Sequence, residues 1–194
     1  MKPIEKPWQE FRDARNYVER MKVSSTFDSY ERDFKNSLHC LERAWNKSVA
    51  HLGRSPKYQG WTRRGQVEKL RRQDSLLSYL VNARGADEHT VEDITSRSGG
   101  GVGISPAEGG SMHIINLVVD GHGSMSLETD RPITVTFFPN RVVLQPVVNR
   151  GREYPVPKSH LGTALDSSDP VELVLIGIGF YENYLREAEI HFIK

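Results

Sequence analysis

The chain has 194 residues, and its 26 lysines and arginines nearly balance its 25 aspartates and glutamates, so the formal net charge is +1. This length is enough for a buried core in one or two domains, and the balanced charge argues against a disordered polyelectrolyte. No apolar run approaches the roughly 20 residues that span a bilayer, and the first residues lack the apolar core of a signal peptide. We therefore expect a cytoplasmic protein with no membrane partner.

The sequence offers little support for a metal or a cofactor. Cys40 is the single cysteine, which excludes an internal disulfide and a cysteine-based zinc site. His113, Asp120, His122 and His160 lack the close spacing of two ligands on one ion, apart from Asp120 and His122 in a predicted turn. We expect turn and surface roles for these four residues, a buried inert thiol at Cys40, and no cofactor.

Apolar residues at helical spacing predict most of the first half of the chain. A stripe of spacing three and four predicts an amphipathic helix over residues 7–22. The same spacing from Phe27 to Leu52 predicts a long second helix that ends at Gly53. A third helical pattern begins near residue 67, bends near Asp74 and continues to about residue 94. At the end of the chain, Asp169 and Pro170 form a cap and first-turn pair before a final helix.

Between the third and last helical patterns the residues change in kind. Residues 96–110 contain too many glycines for a helix or a central strand, so we predict a flexible connector there. From residue 111 the period becomes two, which predicts antiparallel strands. The first predicted hairpin joins residues 112–119 and 124–128 through Asp120 and Gly121. The second joins residues 133–138 and 142–148 through Pro139 and Asn140.

These patterns predict an α+β fold. A helical bundle of four or more helices is formed by residues 1–98 and 168–194. A small antiparallel β-sheet, residues 99–167, is inserted before the last helix.

Positive charge is concentrated in the first half of the chain. Residues 1–98 hold 19 lysines and arginines against 14 acids, and residues 99–194 hold 7 against 11, which gives +5 and −4. Much of the excess lies in residues 54–72, where cations alternate with Tyr58 and Trp61, a combination that suits single-stranded nucleic acid. The alternatives are a solvated helix face and a Trp61 that packs on the bundle as a lid. The predicted nucleic-acid-binding residues are Arg63, Arg64, Lys69, Arg71 and Arg72.

The segment from Asp74 to His89 carries the strongest candidate for chemistry. Asp74 can cap its helix, and Arg84 and Glu88 interrupt an apolar stripe at a spacing of four. A second stripe comprises Ser78, Asn82, Gly85 and His89. Its central glycine suggests the close approach of another backbone, with an imidazole at the contact.

The residues Ala-Arg-Gly-Ala-Asp-Glu-His at 83–89, late in a predicted helix of an all-α unit, resemble the signature of the HEPN superfamily. The resemblance implies a helical bundle that dimerises near the motif and acts as a metal-independent endoribonuclease, in toxin, phage-defence or RNA-processing systems. It implies that His89 moves the proton of a ribose hydroxyl, and that Arg84 stabilises the charged phosphate in the transition state. Glu88 or Asp87 would orient one of them.

A composite site from two copies is part of this prediction. On an unbroken helix Arg84 and His89 point about 140° apart, so one copy cannot easily close on a phosphate. Three alternatives stay open. Arg84 and Glu88 form a structural i,i+4 ion pair; or the bundle is a catalytically inactive module that binds nucleic acid; or the inserted sheet recruits a protein partner through an edge strand.

Overall fold

The structure is a computed structural model that describes residues 4–89, 93–122, 124–138 and 141–192. For His89, Phe137 and Phe138 it describes the backbone alone. The chain divides into two compact units. We call residues 4–97 and 142–192 the helical unit and residues 98–141 the ribbon unit, and we describe each by itself.

Six helices are present in the described residues, all of them in the helical unit: α1 (Glu5–Lys22), α2 (Phe27–Leu52), α3 (Pro56–Gln59), α4 (Thr62–Gln73), α5 (Ser75–His89) and α6 (Pro170–Phe192). Helices α1, α2, α5 and α6 pack together, and α4 lies against α5. The predicted helices are therefore confirmed, except that the third pattern is two helices and residues 93 and 94, at its predicted end, are not helical. No helix in the described ranges is long and apolar enough to cross a membrane.

Local capping explains where three of these helices begin. The backbone N–H of Leu77 donates to the Asp74 carboxylate at 3.0 Å, and that of Val171 donates to Asp169 at 2.7 Å. Thr26 accepts in the same way from Ser29. Each of these side chains satisfies a backbone donor that has no partner within the helix, so the sequence prediction of caps at Asp74 and Asp169 is confirmed.

The core lies between the helices and includes the Trp61 loop. Side chains such as Phe11, Phe34 and Leu77 are fully buried or nearly so. The indole of Trp61 packs 5.4 Å from the ring of Tyr184 and 5.3 Å from that of Phe192, measured between ring centroids. Trp61 is therefore the predicted lid on the bundle.

The strands after residue 141 are packed with the helices. In chain order these are β6 (Arg141–Leu144), β7 (Val147–Asn149), β8 (Arg152–Tyr154), β9 (Ser159–His160) and β10 (Thr163–Ala164), while β1 (Thr95–Ser98) pairs with β6. Leu144 and Val147 are each 3% exposed, and the Tyr79 hydroxyl donates to the carbonyl of Gln145 at 2.7 Å. The separate unit is thus shorter than the predicted insertion of residues 99–167, because residues 142–167 bury apolar side chains with α5.

The ribbon unit consists of paired strands. Strand β2 (Gly101–Pro106) pairs antiparallel with β5 (Ile133–Phe138), and β3 (Ile114–Val119) pairs antiparallel with β4 (Met125–Thr129). The predicted hairpin at Asp120 is confirmed, since the Asp120 carboxylate accepts from the backbone N–H groups of His122 and Ser124, each at 2.8 Å.

Two sequence predictions in this unit are wrong. The glycine-rich segment forms β2, because its glycines alternate with Val102 and Ile104, which pair across the ladder with strand β5. As a result β5 pairs with β2 and not with the strand that follows it, so the predicted second hairpin does not form. The turn predicted at Pro139 and Asn140 lies outside the described residues.

One face of the β3–β4 pair is apolar and open. Leu117 pairs with Leu127 and Val119 with Met125 across the ladder, and Ile115 precedes them at an irregularity of the register between Ile114 and Asn116. Ile115, Leu117, Val119 and Met125 are all exposed. We call Leu117, Val119, Met125 and Leu127 the apolar ribbon face.

Candidate functional site

The predicted motif residues Arg84 and Glu88 meet on the surface of α5. Nη2 of Arg84 lies 2.6 Å from Oε1 of Glu88, and both side chains are about 30% exposed. This is the i,i+4 ion pair that the sequence offered as a structural alternative. The pair fixes the guanidinium but leaves it partly open to solvent.

A histidine that the sequence prediction missed joins this pair from α2. Nδ1 of His39 lies 3.6 Å from Oε1 of Glu88, and Nε2 lies 3.5 Å from Oδ2 of Asp87. Nζ of Lys35, one helical turn before His39, lies 2.7 Å from Oδ1 of Asp87. We call Lys35, His39, Arg84, Asp87 and Glu88 the α2–α5 cluster.

The geometry of the cluster follows from two short helical spacings. Lys35 and His39 are four residues apart on α2, and Arg84, Asp87 and Glu88 fall three and four apart on α5, so each set shares one face of its helix. Packing of α2 against α5 brings the two faces together. The result is an imidazole with a carboxylate at each ring nitrogen and a cation beyond each carboxylate.

Arg84 carries a further feature that a simple surface ion pair does not need. Its Nε is buried and has no hydrogen-bond acceptor among the described residues. A buried donor without an acceptor is rare and calls for an explanation, such as a catalytic role or a ligand.

Gly85 is in close contact with β7 of the same chain, whereas the predicted role of His89 falls on a side chain outside the described residues. His89 is the last residue of α5, and its side chain lies outside the described part of the chain. A Cβ atom at Gly85 would collide with the side-chain amide of Asn149 in β7, and that amide donates to Asn82 at 2.9 Å. The close approach at Gly85 is therefore made within one chain.

Three of the predicted nucleic-acid-binding residues are neutralised inside the helical unit. Nε of Arg63 lies 2.8 Å from Glu187, Nε of Arg64 lies 2.8 Å from Glu68, and Nη2 of Arg71 lies 2.7 Å from Glu42.

Arg71 is also enclosed. Its guanidinium stacks 4.5 Å above the ring of Trp45 and donates to the Tyr181 hydroxyl at 2.6 Å. Burial alone would lower the pKa of Arg71, but Tyr181 and Glu42 together raise it, so Arg71 stays charged. Its structural role is to hold α4 to α2 and α6.

The other two predicted binding residues, Lys69 and Arg72, are exposed. Arg72 lines a cleft of about 510 Å³. Arg71, Arg152 and the aromatic rings of Trp45 and Tyr154 line the same cleft. Arg152 stacks above Tyr154 at 5.2 Å. We call Arg71, Arg72, Arg152, Trp45 and Tyr154 the arginine cleft.

Two of the four residues that the sequence analysis considered as metal ligands, Asp120 and His160, have other partners. Asp120 closes its turn as described above, and Nδ1 of His160 lies 2.9 Å from Oδ1 of Asp74 at the start of α5. His160 is thus held against the start of α5, whereas we expected a turn or surface role for it. Within the described ranges, no group of three or more His, Cys, Asp or Glu side chains is arranged to hold a metal ion.

Cys40 is buried, as predicted. Burial raises the pKa of its thiol to about 11, so at neutral pH it is protonated and unreactive.

Comparisons with known proteins found no matching family model, no similar curated protein and no similar solved structure. Membership of the HEPN superfamily therefore stays a prediction from the motif at residues 83–89.

Proposed function

We propose that this protein is a metal-independent endoribonuclease that uses the α2–α5 cluster. The observation that supports the proposal is the position of His39, whose two ring nitrogens lie 3.5 and 3.6 Å from Asp87 and Glu88, with Arg84 on the same Glu88 oxygen. A proton carrier and a partly exposed guanidinium thus share one site in a single copy of the chain.

RNA is the substrate that these groups suit. The ribose 2′-hydroxyl supplies an internal nucleophile, so cleavage needs a proton acceptor, a proton donor and a cation at the phosphate, and no metal-bound water. The 2′-oxygen gives its proton to His39 and attacks phosphorus, the bond to the 5′-oxygen breaks, and that oxygen takes up a proton from solvent water. The products are a 2′,3′-cyclic phosphate and a 5′-hydroxyl end.

The proposal gives each side chain one task. His39 accepts the 2′-hydroxyl proton on the ring nitrogen that exchanges its carboxylate contact for the substrate, since imidazole is the commonest proton carrier in catalysis. Asp87 and Glu88 orient the ring and stabilise its charged form. Arg84 exchanges part of its contact with Glu88 for the phosphate oxygens, and its planar guanidinium can bind two of them at once.

This version differs from the sequence prediction in where the imidazole comes from. The prediction paired Arg84 with a His89 across a dimer axis, whereas the His39 site is complete in one chain. The homodimer and a role in toxin or phage-defence systems follow from the resemblance alone and stay predictions.

The test is cleavage of a fluorescent single-stranded RNA in EDTA, measured in single-turnover reactions with His39→Ala, Arg84→Ala and His89→Ala. We expect His39→Ala to slow cleavage by about 100-fold or more, since general acid–base catalysis contributes about 10²- to 10⁴-fold. His122→Ala, an exposed histidine in the ribbon unit, is the matched control and should cleave like the wild type.

The variants also separate the two versions of the site. Loss of cleavage in His89→Ala with full activity in His39→Ala would contradict the one-chain site and favour the two-copy site. Full activity in both His39→Ala and Arg84→Ala, with folding verified by circular dichroism, would refute the assignment. Absence of cleavage in the wild type would favour the second candidate, a module that binds RNA without cutting it, which the arginine cleft supports.

A further inference from the structure

We propose that the arginine cleft binds one nucleotide of a single-stranded RNA, with the phosphate on Arg72 and Arg152 and the base against Tyr154. The choice of RNA rests on the proposed function, and the experiment below is designed so that either proposal can fail without the other.

Charge is the first argument. Arg71 is neutralised by Glu42, and the one carboxylate that lines the cleft, Glu68, pairs with Arg64. Arg72 and Arg152 are exposed and form no ion pair with any described carboxylate. The cleft therefore carries two uncompensated guanidinium groups, and guanidinium binds phosphate oxygens through paired, charge-assisted hydrogen bonds.

The orientation of Arg72 is the second argument. Its Nε donates to the backbone carbonyl of Glu68 at 3.0 Å, which holds the side chain along α4. The two Nη groups are not used by that bond. Because the side chain is already partly ordered, less conformational entropy is lost when it binds a phosphate.

Aromatic lining and size are the third argument. Tyr154 is partly exposed in β8, and Trp45 forms the inner wall of the cleft. Stacking of bases on aromatic rings stabilises single-stranded nucleic acid with little dependence on sequence. The volume of about 510 Å³ lies within the range of about 300 to 1,000 Å³ that is typical of small-molecule sites.

Position relative to the α2–α5 cluster is the fourth argument. Trp45 follows His39 by six residues on α2, an axial rise of about 9 Å. On α5, Asn82 lines the cleft and Arg84 lies two residues further on. Both sites thus draw residues from α2 and α5 of the helical unit.

The experiment measures binding separately from cleavage. A fluorescein-labelled 2′-O-methyl oligonucleotide lacks the nucleophilic hydroxyl, so fluorescence anisotropy reports its affinity without turnover. We expect Arg72→Ala and Arg152→Ala each to weaken binding and to reduce the slope of log K against log[salt] by about one, and Tyr154→Ala to weaken binding about tenfold. Arg12→Ala, which removes an exposed charge from α1, is the matched control and should bind like the wild type.

Each outcome is decisive. Wild-type affinity in an Arg72→Ala/Arg152→Ala double variant, or no binding by the wild type at low salt, would overturn the cleft, and a protein partner would then be the better explanation of its charge. If binding depends on the cleft but unmethylated RNA is not cleaved, the proposed function is refuted and the cleft is supported. If cleavage depends on His39 but binding does not depend on the cleft, the cleft is refuted and the proposed function is supported.

Discussion

In the helical unit Leu77, Ile178 and Leu185 are fully buried, whereas in the ribbon unit Ile115, Leu117 and Val119 are 50 to 62% exposed. Both groups are typical core residues, so composition does not explain the difference. Apolar side chains that are three and four residues apart form a stripe along each helix, and the helices bury these stripes against one another. A pair of strands has no second layer, and isolated two-stranded ribbons are marginally stable in water.

The comparison indicates that buried apolar side chains stabilise the helical unit, whereas the ribbon unit exposes them. We expect the helical unit to supply nearly all of the free energy of unfolding. Recruitment of a protein partner through an edge strand of the sheet stays a prediction.

Two deletions test the boundary between the units and should give the largest effects. Replacement of residues 99–140 by Asn-Gly should leave the helical unit folded, because β1 and β6 are paired and a two-residue turn can join them. Replacement of residues 99–160 removes the buried Leu144 and Val147 and the carbonyl that accepts from Tyr79. Each buried side chain contributes about 1.5 to 3 kcal/mol, so the second deletion should lose a large part of a typical total stability.

Thermal unfolding followed by circular dichroism measures this difference. We expect a midpoint within a few degrees of the wild type for the shorter deletion and a midpoint at least 10 °C lower, or no cooperative transition, for the longer one. Equal midpoints would show that residues 142–160 add nothing to the helical unit and would contradict the division at residue 141.

The elements that the sequence predicted well are those whose evidence is local. The stripes of α1, α2 and α6 and the caps at Asp74 and Asp169 can be read from a few neighbouring residues. Strand β2 was missed because its glycines indicate flexibility, and only its distant partner β5 makes it a strand. The packing of residues 142–167 on α5 was missed for the same reason, since it depends on contacts between distant parts of the chain.

The candidate site shows the same limit. The ion pair between Arg84 and Glu88 follows from a spacing of four on one helix and was visible in the sequence. His39 was not found, because its place beside Glu88 depends on how α2 packs against α5, although Lys35 and His39 at a spacing of four beside the apolar stripe were a signal. Arg152, which is 80 residues from Arg72, offered no local signal at all.

Two point substitutions compare a buried apolar residue of the helical unit with an exposed one of the ribbon unit, and we expect smaller effects on stability than those of the deletions. Leu185→Ala empties a fully buried position in α6 and should lower the free energy of unfolding by about 2 to 5 kcal/mol. Val118→Ala, at a position in β3 that is 52% exposed, should change it by no more than about 0.5 kcal/mol. Urea unfolding followed by circular dichroism measures both, and similar losses would mean that the ribbon is covered and stabilising in solution.

The smallest expected effect concerns acid stability and Glu10, a buried carboxylate of α1. Burial alone would raise the pKa of Glu10 from its ordinary value of 4.5, but the hydrogen bonds from Lys47 and Arg43 lower it overall. A folded-state pKa below the unfolded one contributes stability that is present above about pH 4.5 and is lost as pH falls through the folded-state value. Glu10→Gln should therefore be less stable than the wild type at pH 7 and should lose less stability on acidification.

Tryptophan fluorescence during urea unfolding, repeated from pH 7 to pH 3, reports this in the helical unit, because Trp8, Trp45 and Trp61 all belong to it. The matched control Glu128→Gln lies in the ribbon unit, so its curve should follow that of the wild type. If Glu10→Gln also followed the wild type at every pH, the contacts with Lys47 and Arg43 would contribute nothing in solution. If instead Glu128→Gln altered the curve, the stability of the helical unit would depend on the ribbon unit, and the assignment of stability to one unit would fail.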